Sequence, residues 1–191
     1  MKRASAVAAL AVALASAHVP AAAASLTLAE REQRQAVLLG QRSITSETFG
    51  AEWRVSHESG ESVEVMTPFH RLALAARNSA FKNEPLKPQD QEKVLVELKD
   101  RLMVWVYLHG SREEFARYFA PRLMVDDREI EPALVQNERT AQKQDNGRYL
   151  ARCVYWFPTK DITGTSKAVL VVRDSEGQPV SRFAIDLGRM R

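Results

Sequence analysis

Residues 148–157 read Arg-Tyr-Leu-Ala-Arg-Cys-Val-Tyr-Trp-Phe, and this stretch decides the fold class. Apolar side chains occupy every second position from Tyr149 to Phe157, which places them on one face of a β-strand. Leu150, Val154 and Trp156 give the opposite face an apolar character too. Pro158 then ends the strand. The stretch therefore predicts a strand that packs against a partner layer.

Two further segments predict strands around it. Residues 102–109 form a nearly continuous apolar run, which is typical of a strand covered on both faces. Residues 168–173 and 179–187 predict a hairpin that turns at Asp174-Ser175-Glu176-Gly177, where Gly177 can supply a positive φ. Together these segments predict an antiparallel sandwich in residues 101–191.

The rest of this half supplies shorter elements. Ser111 with Glu114 has capping-box spacing and predicts a short helix, whose Phe115, Tyr118 and Phe119 we expect in the core. Residues 122–125 predict a strand, and residues 133–143 predict a second strand with a polar edge. Asn146-Gly147 predicts a tight turn.

The N-terminal half has a different periodicity. Helical spacing predicts helices over residues 27–40, from Thr67-Pro68 onward, and over residues 89–98, with Thr67 as an N-cap. Alternation on either side of the turn at residues 58–61 predicts a β-hairpin. We therefore expect a helical and β-hairpin part before the sandwich.

The strand count and turn spacing after Leu102 are similar to a β-sandwich of immunoglobulin or fibronectin-III type. The paired cysteines of true immunoglobulin domains are missing. The predicted fold is thus α+β, with a helical and β-hairpin subdomain at 25–100 and a β-sandwich domain at 101–191.

The N-terminus predicts export. Lys2 and Arg3 precede a small-apolar run over residues 4–17, and Ala22-Ala23-Ala24 offers a cleavage site before Ser25. Ala15-Ser16-Ala17 is a second possible site. We expect a cleaved signal peptide at 1–24 and a periplasmic or secreted protein without stable membrane insertion, because the run is shorter than the roughly 20 apolar residues of a membrane span.

Composition and net charge indicate a globular chain and argue against nucleic acid as a partner. The sequence is 45% hydrophobic and 27% charged, which is typical of a globular chain. Its 27 basic and 24 acidic residues give +3, and loss of Lys2 and Arg3 would lower this to about +1. So small a charge gives no strong attraction to nucleic acid.

The residues that could do chemistry are scattered. Cys153, the single cysteine, lies in a strand pattern that predicts a small buried side chain. We expect His57 at the rim of a strand and His70 either in solvent or at a helix cap. His109 is not at helical or strand spacing from either of them, so the sequence predicts no local pair of histidines. The carboxylates of residues 126–131 surround Arg128 and predict a solvated turn. We therefore predict no catalytic, cofactor or metal site.

Two functions stay open. The first is a noncatalytic binding or structural module of the cell envelope, whose partner is another envelope protein or polymer. The alternative is a small exported hydrolase in which His57, His70 or His109 meets carboxylates in a pocket. For the binding module we expect recognition at loops 161–167 or 174–177 or on the helical layer, with Trp105, Tyr118 and Trp156 buried by default.

Overall fold

The computed structural model describes residues 23–191 as a mixed α+β fold with three helices and two antiparallel sheets. Residues 1–22, most of the predicted signal peptide, lie outside the described range. The helices are α1 (Glu30–Arg42), α2 (Pro68–Phe81) and α3 (Pro88–Glu97). The strands are β1 (Arg54–Ser56), β2 (Ser62–Met66), β3 (Arg101–Gly110), β4 (Ala120–Val125), β5 (Arg128–Ile130), β6 (Leu134–Gln136), β7 (Gln142–Lys143), β8 (Tyr149–Pro158), β9 (Lys167–Arg173) and β10 (Pro179–Asp186).

The first sheet has the strand order β1-β2-β3-β8-β6, with β7 also paired to β8, and the second has the order β10-β9-β4-β5. The first sheet joins strands from both sides of the predicted division at residue 100. Its β2 pairs with β3 from Ser62 opposite Tyr107 to Met66 opposite Met103. The predicted hairpin at 54–66 is therefore hydrogen-bonded to the strand that follows the helices.

The apolar core lies between the sheets. Residues at alternate positions of β3 and β8 point inward, because successive strand side chains face opposite ways. These inward side chains are fully buried except for Tyr149 at the start of β8, whereas several of their neighbours on the other face are half-exposed. The core includes Val104, Val106, Leu108, Cys153, Tyr155 and Phe157 from the first sheet and Leu123, Leu170, Phe183 and Ile185 from the second.

The helices extend this core, and α1 and α2 begin with local caps. Thr67 accepts a hydrogen bond from the His70 backbone N–H at 3.1 Å, and Pro68 occupies the first turn, which confirms the predicted start of α2. Helix α1 starts at Glu30 rather than at the predicted Thr27. There the Glu32 carboxylate accepts from the Ala29 backbone N–H at 2.8 Å, so the acidic side chain supplies the cap.

The predicted helix after Ser111 is wrong, since residues 111–119 form a series of turns. The carbonyls of Arg112, Glu114 and Ala116 accept from N–H groups three residues on, as in turns, and other carbonyls of this segment are bonded to distant residues. Glu113 O accepts from the Ala141 backbone N–H at 2.9 Å, and Phe119 O accepts from Asn137 Nδ2 at 2.8 Å. Long-range contacts have overridden the local helix signal.

The remaining strand predictions differ mainly at their ends. The hairpin of β9 and β10 is confirmed, with Gly177 at φ +79°. The polar-edged strand predicted over residues 133–143 is instead two short strands, β6 and β7, both on the β8 edge. Each is too short to be resolved by sequence alternation.

Candidate functional site

The first sheet has an outer face, defined here as its side chains that point away from the core. Neighbouring strands bring these side chains into register. Trp105 lies opposite Glu64 on β2 and Val154 on β8, and Tyr107 lies opposite Ser62 and Arg152. The outer face comprises Arg54, Ser62, Glu64, Met66, Met103, Trp105, Tyr107, His109, Leu134, Leu150, Arg152, Val154 and Trp156.

Part of the outer face is covered and part is exposed. Leu98, at the end of α3, packs with Met66 and Met103 in a small buried cluster. Trp105 and Trp156 border that cluster and are only partly buried, and Leu134 on the edge strand is 51% exposed. The expectation that both tryptophans are core residues is thus only half right, because the helices reach one end of the face alone.

Cationic and hydroxyl side chains occupy the other end. Arg54, Ser62, Tyr107 and His109 line a depression of about 280 Å³ together with Gly60 and Leu150. Burial raises the pKa of Tyr107, Glu64 adds to this effect, and Arg152 and Arg54 oppose it, so the phenol is protonated at neutral pH. Arg152 is exposed, and its guanidinium lies 5.7 Å from the centroid of the Trp105 ring.

Beneath this end lies a buried ionisable pair, Glu64 and His70. Glu64 accepts from Arg54 at 3.0 Å, and its other carboxylate oxygen is 3.3 Å from His70 Nε2. His70 is fully buried, so the prediction that it is solvated is wrong. Its Nδ1 pairs with Val65 O at 3.0 Å, and its ring stacks on Trp53 with centroids 4.1 Å apart.

Burial lowers the pKa of His70, against the smaller opposing effects of the Val65 carbonyl and the Glu64 charge. A neutral ring that donates from Nδ1 presents only an acceptor at Nε2. The 3.3 Å contact with Glu64 is then an approach of two acceptors rather than a hydrogen bond, and Nε2 has no hydrogen-bond partner within residues 23–191. Neither the depression described above nor the second cavity described below is lined by Glu64 or His70.

The other predicted chemical residues lie apart. His57 sits at the strand rim, as predicted, and stacks on Phe183 with centroids 4.4 Å apart. Cys153 is fully buried in the core, as predicted, and burial raises the pKa of its thiol. His109, on β3, lies against Gly60 at the opposite end of the outer face from the helices.

The carboxylates of residues 126–131 are exposed, as predicted, but residues 128–130 form strand β5 rather than part of a turn, and Ile130 is buried. Arg128 pairs with Asp161 at 2.6 Å, and Arg122 pairs with Glu129 at 3.0 Å and with Glu131 at 3.3 Å. Within the described chain, no three His, Cys, Asp or Glu side chains gather as a metal site would require. None of the helices between residues 23 and 191 combines the length and apolarity needed to cross a membrane.

A second cavity, of about 620 Å³, lies between residues 112–119 and the turn of the β9–β10 hairpin. It includes loop 174–177, one of the places where sequence reasoning expects recognition. Tyr118 on its rim is 68% exposed, which corrects the expectation that Tyr118 is buried. The turns at 112–119 cannot bury three aromatics on one side as the predicted helix would. Phe115 and Phe119 still pack edge to face, 5.8 Å apart.

The sequence did not predict that most of the outer face is a surface. Alternation predicted two apolar faces for β8 and a β3 covered on both sides, but it does not show how far the helices extend over the sheet. Arg54, Tyr107 and Arg152 were missed because they are far apart in sequence. Their shared position follows only from strand register.

No model of a known protein family matches the sequence, and no curated protein matches it. Among solved structures, the chain is similar to a novel protein of unknown function from Burkholderia pseudomallei. The two superpose with a TM-score of 0.44 at 7% identity, over 85% of this chain and 92% of the other.

Proposed function

We propose that the protein is an exported, noncatalytic binding module of the cell envelope, and that its recognition surface is the outer face of the first sheet. One observation carries the proposal. Trp105, Tyr107 and Trp156 are half-buried on neighbouring strands, whereas the opposite face of the same strands is fully buried from Leu102 to Leu108 and from Ala151 to Phe157. Aromatic side chains are the most common binding anchors on protein surfaces.

The position of the histidines also supports a noncatalytic role. In residues 23–191, His70 is the histidine within 4 Å of a carboxylate, and it is fully buried. A catalytic base has to reach a substrate proton directly or through one water. The hydrolase alternative would need this pair to become accessible, and it stays an untested prediction.

The partner class of this module is an envelope polymer or another envelope protein. The outer face mixes flat apolar side chains with arginines and hydroxyl groups, so it offers both contact area and hydrogen bonds. Nucleic acid is a poor candidate because the chain's charge is close to balanced.

The test is co-sedimentation of the purified protein with the envelope fraction of its source cell. Leu134→Asp and Trp156→Ser should each reduce the bound fraction several-fold, because they place polarity in the exposed part of the face. Leu134→Asp changes a side chain that is already 51% exposed, so we expect this variant to fold as the wild type does.

Matched controls are Phe81→Ala and Tyr118→Ala, which remove exposed aromatics at the end of α2 and at the second cavity. Binding that persists in Leu134→Asp and Trp156→Ser would overturn the outer face as the recognition surface. Binding lost only in Tyr118→Ala would assign recognition to the second cavity instead.

We also propose the finer fold assignment, that residues 101–191 form a sandwich like immunoglobulin or fibronectin-III domains. Two antiparallel sheets enclosing one apolar core support it. The isolated segment 101–191 should then unfold cooperatively. If the isolated segment unfolds without a cooperative transition and folds only when β1 and β2 are present, the assignment is contradicted.

A further inference from the structure

The second sheet ends in a long edge strand. Strand β10 has eight residues and is paired on one side only, with β9. The other strands at sheet edges between residues 23 and 191 have two or three residues each. A very short edge strand is one way in which a sheet avoids pairing with another chain, and β10 lacks this protection. A register shift between Pro179 and Ser181 interrupts its start, so its regular part is residues 182–186.

The free side of this strand is open in the plane of the sheet. Within residues 23–191, the backbone of residues 182–186 forms no backbone hydrogen bonds except with β9. The β1–β2 hairpin approaches β10 only through side chains, since Ser181 donates to Glu61 at 2.8 Å and Phe183 stacks on His57. Ser181 and Phe183 are buried, so these contacts lie between the two sheets. The edge therefore offers backbone donors and acceptors to a further strand.

The charges on this edge are complementary to each other. Arg182 and Asp186 are four residues apart on one strand, so their side chains lie on the same face of the sheet. Arg182 is exposed and Asp186 is half-buried, and neither forms an ion pair among residues 23–191. This holds even though Lys167 lies across from Asp186 on β9. The edge thus carries a cation and an anion, with the small Ala184 midway between them.

A second copy of the chain fits this pattern in a defined register. When two identical edges pair antiparallel about a two-fold axis at Ala184, Arg182 of each copy lies directly opposite the partner's Asp186. Two ion pairs then form across the strands, and two small side chains meet at the axis. An axis at Arg182 would instead place two guanidinium groups opposite each other. The charges therefore select the axis at Ala184, and they favour a second copy over an unrelated strand.

We propose that the protein forms a two-fold dimer through its β10 edge, with residues 182–186 of the two copies paired antiparallel. The second sheets of the two copies then join into one sheet, with four strands from each copy. The pairing adds about four to six backbone hydrogen bonds to the two ion pairs. It uses no residue of the outer face of the first sheet, so the inference stands apart from the proposed function.

The first test is analytical ultracentrifugation of the full protein over a range of concentrations. We expect a reversible equilibrium between monomer and dimer. Arg182→Asp should raise the dissociation constant about tenfold, because two attractions across the strands become two repulsions. Arg152→Asp changes an exposed arginine on β8 of the first sheet, and this matched control should dimerise as the wild type does.

Three results of this test would overturn the inference. Equal dimerisation of the wild type and Arg182→Asp would remove the β10 edge from the interface. A dimer lost in Leu134→Asp but kept in Arg182→Asp would place the interface on the outer face. A wild-type protein that stays monomeric up to about 1 mM would leave the edge to a strand of another protein.

The second test determines the register by disulfide formation. In the proposed dimer the two Ala184 Cα atoms lie about 4.5–5.5 Å apart, so Ala184→Cys should form a covalent dimer under mild oxidation. Cys153 is buried and does not compete. Val169→Cys is the matched control, because Val169 is 37% exposed and lies across from Ala184 on β9. Its two copies would be three strand spacings apart, about 14 Å, which is too far for a disulfide. Crosslinking of Ala184→Cys no faster than that of Val169→Cys would overturn the inference.

Discussion

The Trp53 indole and the His70 imidazole stack almost parallel, with ring centroids 4.1 Å apart and planes inclined by 3°. Both side chains are fully buried, with 1% of Trp53 and 0% of His70 accessible to solvent. Trp53 Nε1 donates to Arg191 O at 2.7 Å, while His70 Nδ1 pairs with Val65 O. The pair thus ties the last residue, the start of α2 and the edge of the first sheet into one unit.

This burial predicts a pH dependence of stability. The pKa of His70 is lowered in the fold, chiefly by desolvation, from an unfolded value near 6.5. The unfolded chain therefore binds the proton more readily, and stability is lost as pH falls below about 6.5 toward the folded pKa. We expect the free energy of unfolding to fall more steeply between pH 7 and pH 5 in the wild type than in His70→Gln.

The measurement is urea denaturation at several pH values. His57→Gln is the control for loss of an imidazole elsewhere in the chain, because His57 lies at the strand rim rather than in the core. Equal slopes in the wild type and His70→Gln would contradict the prediction.

Gly40→Ala should destabilise the protein although alanine favours helices. In α1, an added Cβ at Gly40 would lie 2.1 Å from Ala73 O and 2.8 Å from the Arg77 backbone nitrogen. The helix-propensity gain is about 1 kcal/mol, whereas overpacking against a rigid backbone costs about 1–3 kcal/mol or more. We expect a lower melting temperature, and no decrease for the exposed control Gln41→Ala. A higher melting temperature for Gly40→Ala would contradict the prediction and would show that α1 and α2 can move apart to accommodate the added methyl group.

The buried position of Ala24 bears on processing of the predicted signal peptide. Its backbone N–H donates to Gly164 O and Leu187 O, both at 3.1 Å, and its side chain is 4% exposed. Cleavage after Ala24, the predicted site, would remove these bonds. If the chain is exported, we expect the mature N-terminus at or before Ala23, as after cleavage at Ala17. Intact-mass analysis of the exported protein checks this, and a mature chain starting at Ser25 would contradict it.

Cys153 should be unreactive in the folded protein. It is fully buried in the β8 core, and burial raises the pKa of its thiol, so little thiolate is present or accessible. We expect Ellman's reagent to label it slowly in buffer and rapidly in denaturant. Fast labelling of the native protein would show that β8 opens, and Cys153→Ala serves as the blank for the reaction.

Local sequence determined the elements whose signals are short-range. The Thr67-Pro68 cap fixed the start of α2, and the alternation from Tyr149 to Phe157 fixed which face of β8 is buried. The hairpin turn at Gly177 also followed from local turn chemistry. In each case the residues that make the decisive contacts are adjacent or at a fixed spacing, so their geometry is set before the chain folds.

Tertiary structure decided the rest. Residues 111–119 have a helix cap and helical spacing, yet they form turns. Ala141 and Asn137 take the Glu113 and Phe119 carbonyls into long-range hydrogen bonds. His70 has the sequence context of an exposed helix start, and the packing of Trp53 and Phe49 against its ring makes it a core residue.

The candidate site shows the same division. Sequence alternation placed Trp105 and Trp156 on strands, but their exposure depends on how far Leu98 and the helices cover the sheet. Arg54, Tyr107 and Arg152 come together through the pairing of β1, β2, β3 and β8. Strand register joins residues about 100 positions apart in the chain, and no local pattern encodes it, because register is fixed by the burial of a whole sheet face.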